Sequence, residues 1–480
     1  MKIAVISTHI RWKTHYETEL EIMQRHIDEG DQVVHIVCNG DLLPCDQNMD
    51  FEAAICYNCI HRRWYGATLL SEKIETIPLK LKHEYSDRYK FSNEAEVKSC
   101  YYKNFDIGYG ALSTLISSVR NPVLGPSELE KVNVLMERGR SMYDWMEQFI
   151  DEHKPDQVYV FNGRFIYNRA VLRVCQAKNV KVYVHERGHD IYHYELYLNT
   201  TPHDILYIQN RIIENWEKSP LSDAEKHTLG EQFFIERKQG IEQSWYSFTK
   251  HQEKDRLPEN WDPKKNNVVI FNSSEDEFAS IGGNWRRYIF SSQTQGIQEI
   301  TEKFVNNDSA HFYLRVHPNL TKVKNPDLER LLSLAAPNLS IVYPDSKVST
   351  YAMIEMADKV ITFGSTVGIE ATFWGRPSIL LGSCFYRDLG VTYNPETEDE
   401  LFELIAKDLA PKPIIGALKY AYYLKTYGIP FIYYKAEDFA KGRFKNKNLG
   451  RPGKSPLILR LLRRFSRYKV NQSLLNAFMQ

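Results

Sequence analysis

Residues 359–371 read KVITFGSTVGIEA. The run Lys359 to Phe363 is short, apolar and partly β-branched, the pattern of a buried parallel strand. Gly364 permits a tight turn, and a helix follows. In open α/β sheets, ligands sit outside the carboxyl ends of the strands. Gly364, Ser365 and Thr366 therefore stand where a ligand is expected. Ser365 and Thr366 fall at a helix start, where unpaired amides and the helix dipole attract phosphate. Their hydroxyls add hydrogen-bonding groups, and Glu370, one turn on, is within reach of a ribose hydroxyl. The same residues also read as plain capping, with Ser365 as N-cap and Glu370 as a first-turn acid. The local sequence leaves both readings open.

Similar steps surround this one. Asn267–Phe271 (NVVIF) is a strand followed by Asn272-Ser273-Ser274-Glu275, with a helix over 293–306. His311–Val316 (HFYLRV) is a strand ending at His317-Pro318-Asn319, then a helix over 326–335 and a strand over 340–343. A short helix over 348–356 leads into KVITF, and Pro377–Leu381 is the last strand. Upstream, residues 249–266 are polar, hold two prolines, and read as a linker. The first half alternates in the same way: KIAVIS at 2–7, a helix over 16–29 stopped by Gly30, a strand over 31–38, a helix over 127–152, QVYVF at 157–161, a helix over 170–178 and a strand over 180–184. The expected fold is α/β and GT-B-like: two doubly wound Rossmann-like domains facing a cleft, with a basic C-terminal helical tail. The expected divisions are an acceptor-side domain over 1–248, the linker over 249–266, a nucleotide-sugar-binding domain over 267–415, a helical return segment over 416–440 and the tail over 441–480.

The formal net charge of zero hides an asymmetry. Residues 441–480 hold eleven Lys and Arg and no acid, on a body of net −11. After Pro456, Ile458, Leu461, Leu462, Phe465 and Tyr468 share one helical face, and Arg460, Arg463, Arg464 and Arg467 fall beside or opposite it. That pattern suits an anionic membrane surface, where each basic residue contributes about 1 kcal/mol. A helix packed on the body is the plainer reading. Aromatics interleaved for base stacking are sparse, so nucleic acid is not an expected partner. The N-terminus lacks a signal-peptide pattern, and no window approaches the ~20 apolar residues that span a bilayer. A cytoplasmic protein, peripherally associated with the inner membrane, is expected.

The chemistry-bearing residues cluster at strand ends. His317, fixed by Pro318, points toward the same sheet edge as Ser365 and Thr366 and can bind a donor phosphate or help the leaving group depart. Arg315 ends the same strand and is placed on the donor side with Ser273 and Ser274. No Asp-x-Asp triplet follows a strand, so phosphate is expected to be neutralised without Mg²⁺. In the first half, Tyr183-Val184-His185-Glu186-Arg187-Gly188 ends a strand with ionisable groups. Glu186 is the candidate general base, tuned by Arg187 or His185. Asn162-Gly163-Arg164 ends the adjacent strand, and Arg164 can hold an anion bidentately. Thr8, His9 and His15 follow the first strand and are expected to line the acceptor side.

These residues resemble bacterial capsule polysaccharide biosynthesis transferases, within the broader sialyl- and Kdo-transferase-like GT-B group. His317-Pro318 is similar to that group's His-Pro motif and Ser365-Thr366 to its Ser/Ser-Thr motif. Glu186-Arg187-Gly188 is similar to its acidic-acidic-Gly motif, with Arg187 in place of the second acid. The resemblance implies a CMP-activated 2-keto sugar acid, such as Kdo or a sialic acid, as donor, and a surface polysaccharide or lipid-linked glycan as acceptor. Phosphate and histidine chemistry alone does not separate CMP from UDP, GDP or CDP.

Cys38, Cys45, Cys56 and Cys59 fall within 22 residues. Four thiolates are a donor set for a structural zinc, with Cys38 and Cys45 spaced more loosely than in usual zinc ribbons, and buried free thiols are the alternative. No cofactor is expected to be required for catalysis. The expected function is glycosyl transfer from a nucleotide-sugar donor. A sugar-nucleotide epimerase of the same architecture and a non-catalytic polysaccharide assembly protein are the alternatives.

Overall fold

The computed structural model describes residues 1–82, 89–243, 246–285, 288–307 and 310–449. The chain forms two compact units. Unit 1 comprises Met1–Val119, Leu124–Pro202 and the described chain from Gly428; unit 2 comprises Arg120–Val123 and His203–Tyr427.

The strands of unit 1 are β1 (Lys2–Ser7), β2 (Gln32–Val37), β3 (Glu75–Pro78), β4 (Gln157–Phe161), β5 (Lys181–Arg187) and β6 (His193–Leu198). Unit 2 contributes β7 (Asn266–Phe271), β8 (Ala310–Arg315), β9 (Leu339–Val342), β10 (Lys359–Thr362) and β11 (Ser378–Leu380). The chain then returns to unit 1 as β12 (Ile429–Pro430), β13 (Tyr434–Asp438) and β14 (Lys441–Phe444). Six helices matter below: α1 (His15–Asp28), α2 (Pro126–His153), α3 (Ile166–Ala177), α4 (Asp223–Lys238), α5 (Val367–Phe373) and α6 (Ile415–Thr426).

The unit 1 sheet runs β12-β6-β5-β4-β1-β2-β3, parallel from β5 to β3, with β6 and β12 antiparallel at one edge. The unit 2 sheet runs β11-β10-β7-β8-β9 and is parallel throughout. The five parallel strands of each unit thus follow the same Rossmann-like order, 3-2-1-4-5 in their own numbering. The chain has no internal sequence repeat to announce it. Each sheet has a switch point where the strand order reverses, between β1 and β4 in unit 1 and between β7 and β10 in unit 2. Two doubly wound units in one chain are the parts of a GT-B-like fold. The central strands are buried on both faces, as in β1 (Ile3, Val5, Ile6) and β7 (Val268, Val269, Ile270), which is why they read as continuous apolar runs.

The divisions drawn from sequence change. Residues 203–248 belong to unit 2, because α4 packs on α6 around Leu418, and Lys425 of α6 pairs with Glu236 at 2.8 Å. Residues 249–266 are not a free linker but a strap on unit 2. Trp261 stacks on Tyr313 with ring centroids 4.5 Å apart, and the carbonyl of Arg256 accepts from Ser349 N at 2.8 Å. The 416–440 segment is helical only as far as Thr426, after which it supplies β12 and β13. Residues 441–449 are not part of a helical tail either: β14 pairs with β13, and Phe444 and Leu449 join the unit 1 core. The rest of the amphipathic tail, residues 450–480, lies outside the described residues. Among the described residues no helix is long and apolar enough to cross a membrane.

One buried carboxylate fastens the returning segment. Glu21 of α1 is fully buried and accepts from the backbone amides of Ile432 (2.8 Å), Tyr433 (2.8 Å) and Tyr434 (3.0 Å), and from Arg25 Nε (2.9 Å). Glu21→Ala orphans these donors, and unit 1 is expected to lose about 3–5 kcal/mol. Urea unfolding measures the loss. An unchanged midpoint contradicts this role.

Candidate active site

The residues that follow β7, β8 and β10 surround one cavity of about 230 Å³ in unit 2. Its lining includes Asn272, Arg315, His317, Ser365, Thr366 and Arg237. The sheet explains the convergence, since β10, β7 and β8 are hydrogen-bonded neighbours whose carboxyl ends open at the switch point.

His317 is the best-defined member. Its backbone N–H donates to Asn272 Oδ1 at 2.8 Å, so the loop after β7 sets the position of the loop after β8. Its Nδ1 accepts from the Asn319 amide at 3.1 Å. Burial, with Arg315 and Arg120 adding to it, pulls its pKa down to about 4. The ring is therefore neutral at pH 7, and with Nδ1 accepting, the proton sits on Nε2. His317 is a fixed neutral donor, not a cation.

The positive charge comes from two arginines. Arg315 is almost fully buried, and its guanidinium donates to the carbonyls of Tyr343 (2.5 Å) and Ser346 (3.3 Å). Burial lowers its pKa to about 10, which still leaves it charged. It braces a turn and lends charge to the cavity, without offering the ligand a free fork. Arg237, on α4, donates through Nε and Nη2 to Glu370 Oε1 (3.1 and 2.8 Å) and through Nη2 to Thr366 Oγ1 (3.3 Å). Arg237 was not singled out from sequence. It lies far upstream in a polar helix assigned to the other domain, and no local motif marks it.

Glu370 is 2% exposed and its oxygens are taken. Oε1 receives Arg237 and the Thr366 hydroxyl, and Oε2 receives the Tyr351 hydroxyl at 2.6 Å. The expected ribose contact is thus replaced by a structural role, because a buried carboxylate must be paired. Two guanidiniums against this one carboxylate leave the cavity lining with a net single positive charge.

The β10 turn differs from expectation as well. Gly364 has φ +137°, and a Cβ there would lie 3.1 Å from the Ser383 carbonyl oxygen, so the turn needs glycine. Thr362 Oγ1 already accepts from the amides of Gly364 (3.4 Å) and Ser365 (3.0 Å), and Ser365 Oγ from that of Val367 (3.3 Å). Helix α5 spans only seven residues. The anion-attracting groups are therefore the arginines and hydroxyls rather than a helix terminus. Ser273 and Ser274 do not line this cavity. Both are buried, and Ser273 faces a separate small recess with Asp276 and Gln293.

Unit 1 gathers its own residues at its switch point. Strand β5 runs on through Arg187, three residues past the expected end, so His185 and Glu186 alternate across the sheet. Glu186 remains accessible, with 22% of its side chain exposed. Its Oε2 accepts from Asn162 Nδ2 at 2.7 Å, its Oε1 from the Arg187 amide at 3.1 Å, and His15 Nδ1 lies 3.7 Å from Oε1. Asn162 and Gly163 take φ +56° and +74°, which turns the chain sharply after β4 and aims the Asn162 amide at Glu186. His15 packs on Phe161 with ring centroids 4.0 Å apart, and burial, with help from Arg187 and His185, lowers its pKa well below the usual value. His185 is fully buried, 3.4 Å from Glu19, whose other oxygen takes the Ser7 hydroxyl at 2.5 Å. It braces the core rather than tuning an open site. His9 lies 3.1 Å from Asp46, Thr8 bonds to His9 and Asn168, and the Arg164 guanidinium lies 4.9 Å from the Phe165 ring centre.

Cys38, Cys45, Cys56 and Cys59 remain free thiols, and burial raises the pKa of each. Among the described residues, the groups of three or more ligand atoms that converge do not include them.

The state of His317 has a measurable sign. In the unfolded chain its imidazole titrates near 6.5, and in the folded chain near 4. Between those values the unfolded state binds more protons, so the His317 contribution is full above pH 6.5 and is lost as pH falls toward 4. His317→Gln is expected to flatten this part of the unit 2 stability curve, read as the difference in melting temperature between variant and parent at each pH. A difference that does not vary across this window contradicts a neutral, half-buried His317.

Among solved structures, the fold is similar to two Thermosulfurimonas dismutans KpsC structures. One is a beta Kdo 2,4 transferase (TM-score 0.36, 14% identity, 56% of this chain and 79% of that one) and the other a beta Kdo 2,7 transferase (TM-score 0.34, 14% identity, 58% and 80%). It is also similar to a UDP-GlcNAc 2-epimerase from Methanocaldococcus jannaschii (TM-score 0.25, 11% identity, 85% and 93%). Likenesses at this level leave the activity open. No curated protein matches the chain in sequence. Residues 191–435, just over half of the 480, match the family described as capsule polysaccharide biosynthesis protein. These residues run from the β5–β6 turn through the whole His203–Tyr427 stretch of unit 2, including His317 and the β10 turn, and the chain belongs to the capsule polysaccharide biosynthesis protein family.

Proposed function

We propose that the chain is a glycosyltransferase that moves a sugar from a nucleotide donor to a surface polysaccharide or lipid-linked glycan, with a CMP-activated 2-keto sugar acid as donor. The observation that carries this reading is the meeting of His317, Ser365, Thr366, Arg237 and Arg315 around one cavity at the switch point of unit 2. The cavity is small beside the roughly 300–1,000 Å³ of ordinary ligand pockets, which suits a phosphate and part of a nucleotide. Its single net positive charge matches the one negative charge of a sugar monophosphodiester better than a diphosphate. Family membership supports the acceptor class.

In this reading His317 Nε2–H donates to the phosphate of the departing CMP, stabilising charge as it develops. The Ser365 hydroxyl, whose oxygen only accepts from the Val367 amide, adds a donor, Thr366 positions Arg237, and the arginines supply the field. Neutralisation comes from side chains, with no metal required at the donor phosphate. Glu186 of unit 1 accepts the proton of the attacking acceptor hydroxyl, held in orientation by Asn162. A lipid-linked acceptor places the work at the cytoplasmic face of the inner membrane.

A thermal-shift panel of CMP, UDP, GDP and CDP tests the donor assignment. CMP is expected to stabilise the protein most. His317→Ala is expected to weaken CMP binding by about fivefold to tenfold, the worth of one hydrogen bond, while His317→Gln keeps more of it. Glu186→Gln is expected to lower turnover by at least about 100-fold with CMP affinity unchanged. No shift with any nucleotide contradicts the donor site, and full turnover in Glu186→Gln contradicts the base.

A further inference from the structure

A second group of chemistry-bearing side chains lies in unit 1, in the turn that joins β5 to β6. His189, Asp190 and His193 each offer a ligand atom there, and these atoms lie within 4.8 Å of one another. His193 Nδ1 is 2.6 Å from Asp190 Oδ1, and His189 Nε2 is 3.5 Å from Asp190 Oδ2. The two imidazole centroids are 4.1 Å apart, so both rings converge on one carboxylate. We propose that this turn is a binding site for a divalent transition-metal ion, ligated by His189, Asp190 and His193.

The spacing fits. Donors bound at about 2.1 Å in tetrahedral or octahedral arrangement sit about 3.0–3.4 Å from each other. The observed 2.6 and 3.5 Å run to the two oxygens of Asp190 and lie either side of that range, and the ligand atoms all fall within 4.8 Å of one another, so binding an ion opens the His193–Asp190 separation and draws the two imidazoles inward. All three residues are half-buried, so solvent reaches them. Two imidazoles and a carboxylate suit Zn²⁺, Co²⁺ or Ni²⁺ better than Mg²⁺ or Ca²⁺, which prefer all-oxygen shells. Three protein ligands leave positions for water.

The backbone is already set for the task. The Gly188 amide donates to the His193 carbonyl at 2.9 Å, and a Cβ at position 188 would come within 2.6 Å of His193 Cβ. Gly428, at φ +117°, also packs closely, and a Cβ there would lie 3.0 Å from His193 Cβ and 3.2 Å from Gly188 Cα. The Phe431 amide donates to the Tyr192 carbonyl at 3.0 Å, and the Tyr192 amide to Asp190 Oδ1 at 2.8 Å. Much of the entropy of assembling three ligands is thus spent before an ion arrives. The other converging group among the described residues, His26, Glu29 and Asp31, is already engaged: His26 Nε2 bonds to Tyr159, and Asp31 holds the N-terminal ammonium. An ion at the hairpin clips the end of the strand that carries Glu186. The proposal stands without the transferase reading.

The test titrates Zn²⁺ and then Co²⁺ into chelator-treated full-length protein, by calorimetry and visible absorption. One equivalent is expected to bind, with a cobalt ligand-field band and no sulfur-to-cobalt charge transfer. Asp190→Asn and His193→Ala are each expected to weaken binding at least tenfold, and His26→Ala to leave it unchanged. Circular dichroism checks that each variant is folded, and His189→Ala replaces any that is not. Absence of binding at millimolar ion, equal affinity in the folded hairpin variants, or a thiolate charge-transfer band pointing to the cysteines overturns the proposal.

Discussion

Glu370 is a carboxylate shut away from water, and the unit 2 site is arranged around keeping it paired. Its two oxygens take Arg237, Thr366 and Tyr351, which come from three separate stretches of chain. Removing one partner of a buried pair costs about 3–5 kcal/mol, and less where solvent screens the other charge, as for Arg237 with 36% of its side chain exposed. The pairing ties α4 to the β10 turn and holds a guanidinium beside the cavity. It also withdraws Glu370 from ligand contact, so a group that looked like a binder acts as the scaffold for one.

The two units solve the same placement problem with different chemistry. Each sheet reverses its strand order beside its first strand, which opens a crevice at the carboxyl ends. In unit 2 the crevice collects arginines, hydroxyls and a neutral histidine. In unit 1 it collects a partly exposed carboxylate, Glu186, braced by Asn162 in a left-handed turn. One crevice is suited to an anion and the other to accepting a proton. Ordinary glycosyl transfer needs both functions.

Much of this was legible in the residues. The buried strands stood out as apolar runs, and β4 was placed at Gln157–Phe161, as observed. Placement at strand ends brought out His317, Ser365, Thr366, Asn162 and Glu186, because the fold rule links position in the sheet to exposure. What was missed depends on partners distant in sequence. Arg237 reaches Glu370 across 133 residues, and nothing in its polar helix records that contact. The strap at 249–266 looked like a linker because polar surface segments and linkers share a composition, and only the stacking of Trp261 on Tyr313 distinguishes them. The strand β5 was cut short because His185, Glu186 and Arg187 are charged or polar, although its pairing with β6 continues to Arg187. Similarly, β14 hid inside a basic stretch, since a two-stranded ribbon packed by Phe444 leaves its other side chains in water.

The central claim is that the switch point of unit 2 receives the donor phosphate. A crystal structure of the protein with bound cytidine monophosphate tests it most directly. The account predicts the phosphate in the cavity, with oxygens about 2.7–3.2 Å from His317 Nε2 and from the Ser365 hydroxyl. A nucleotide bound with its phosphate away from His317, and with the Ser365 hydroxyl untouched, contradicts it.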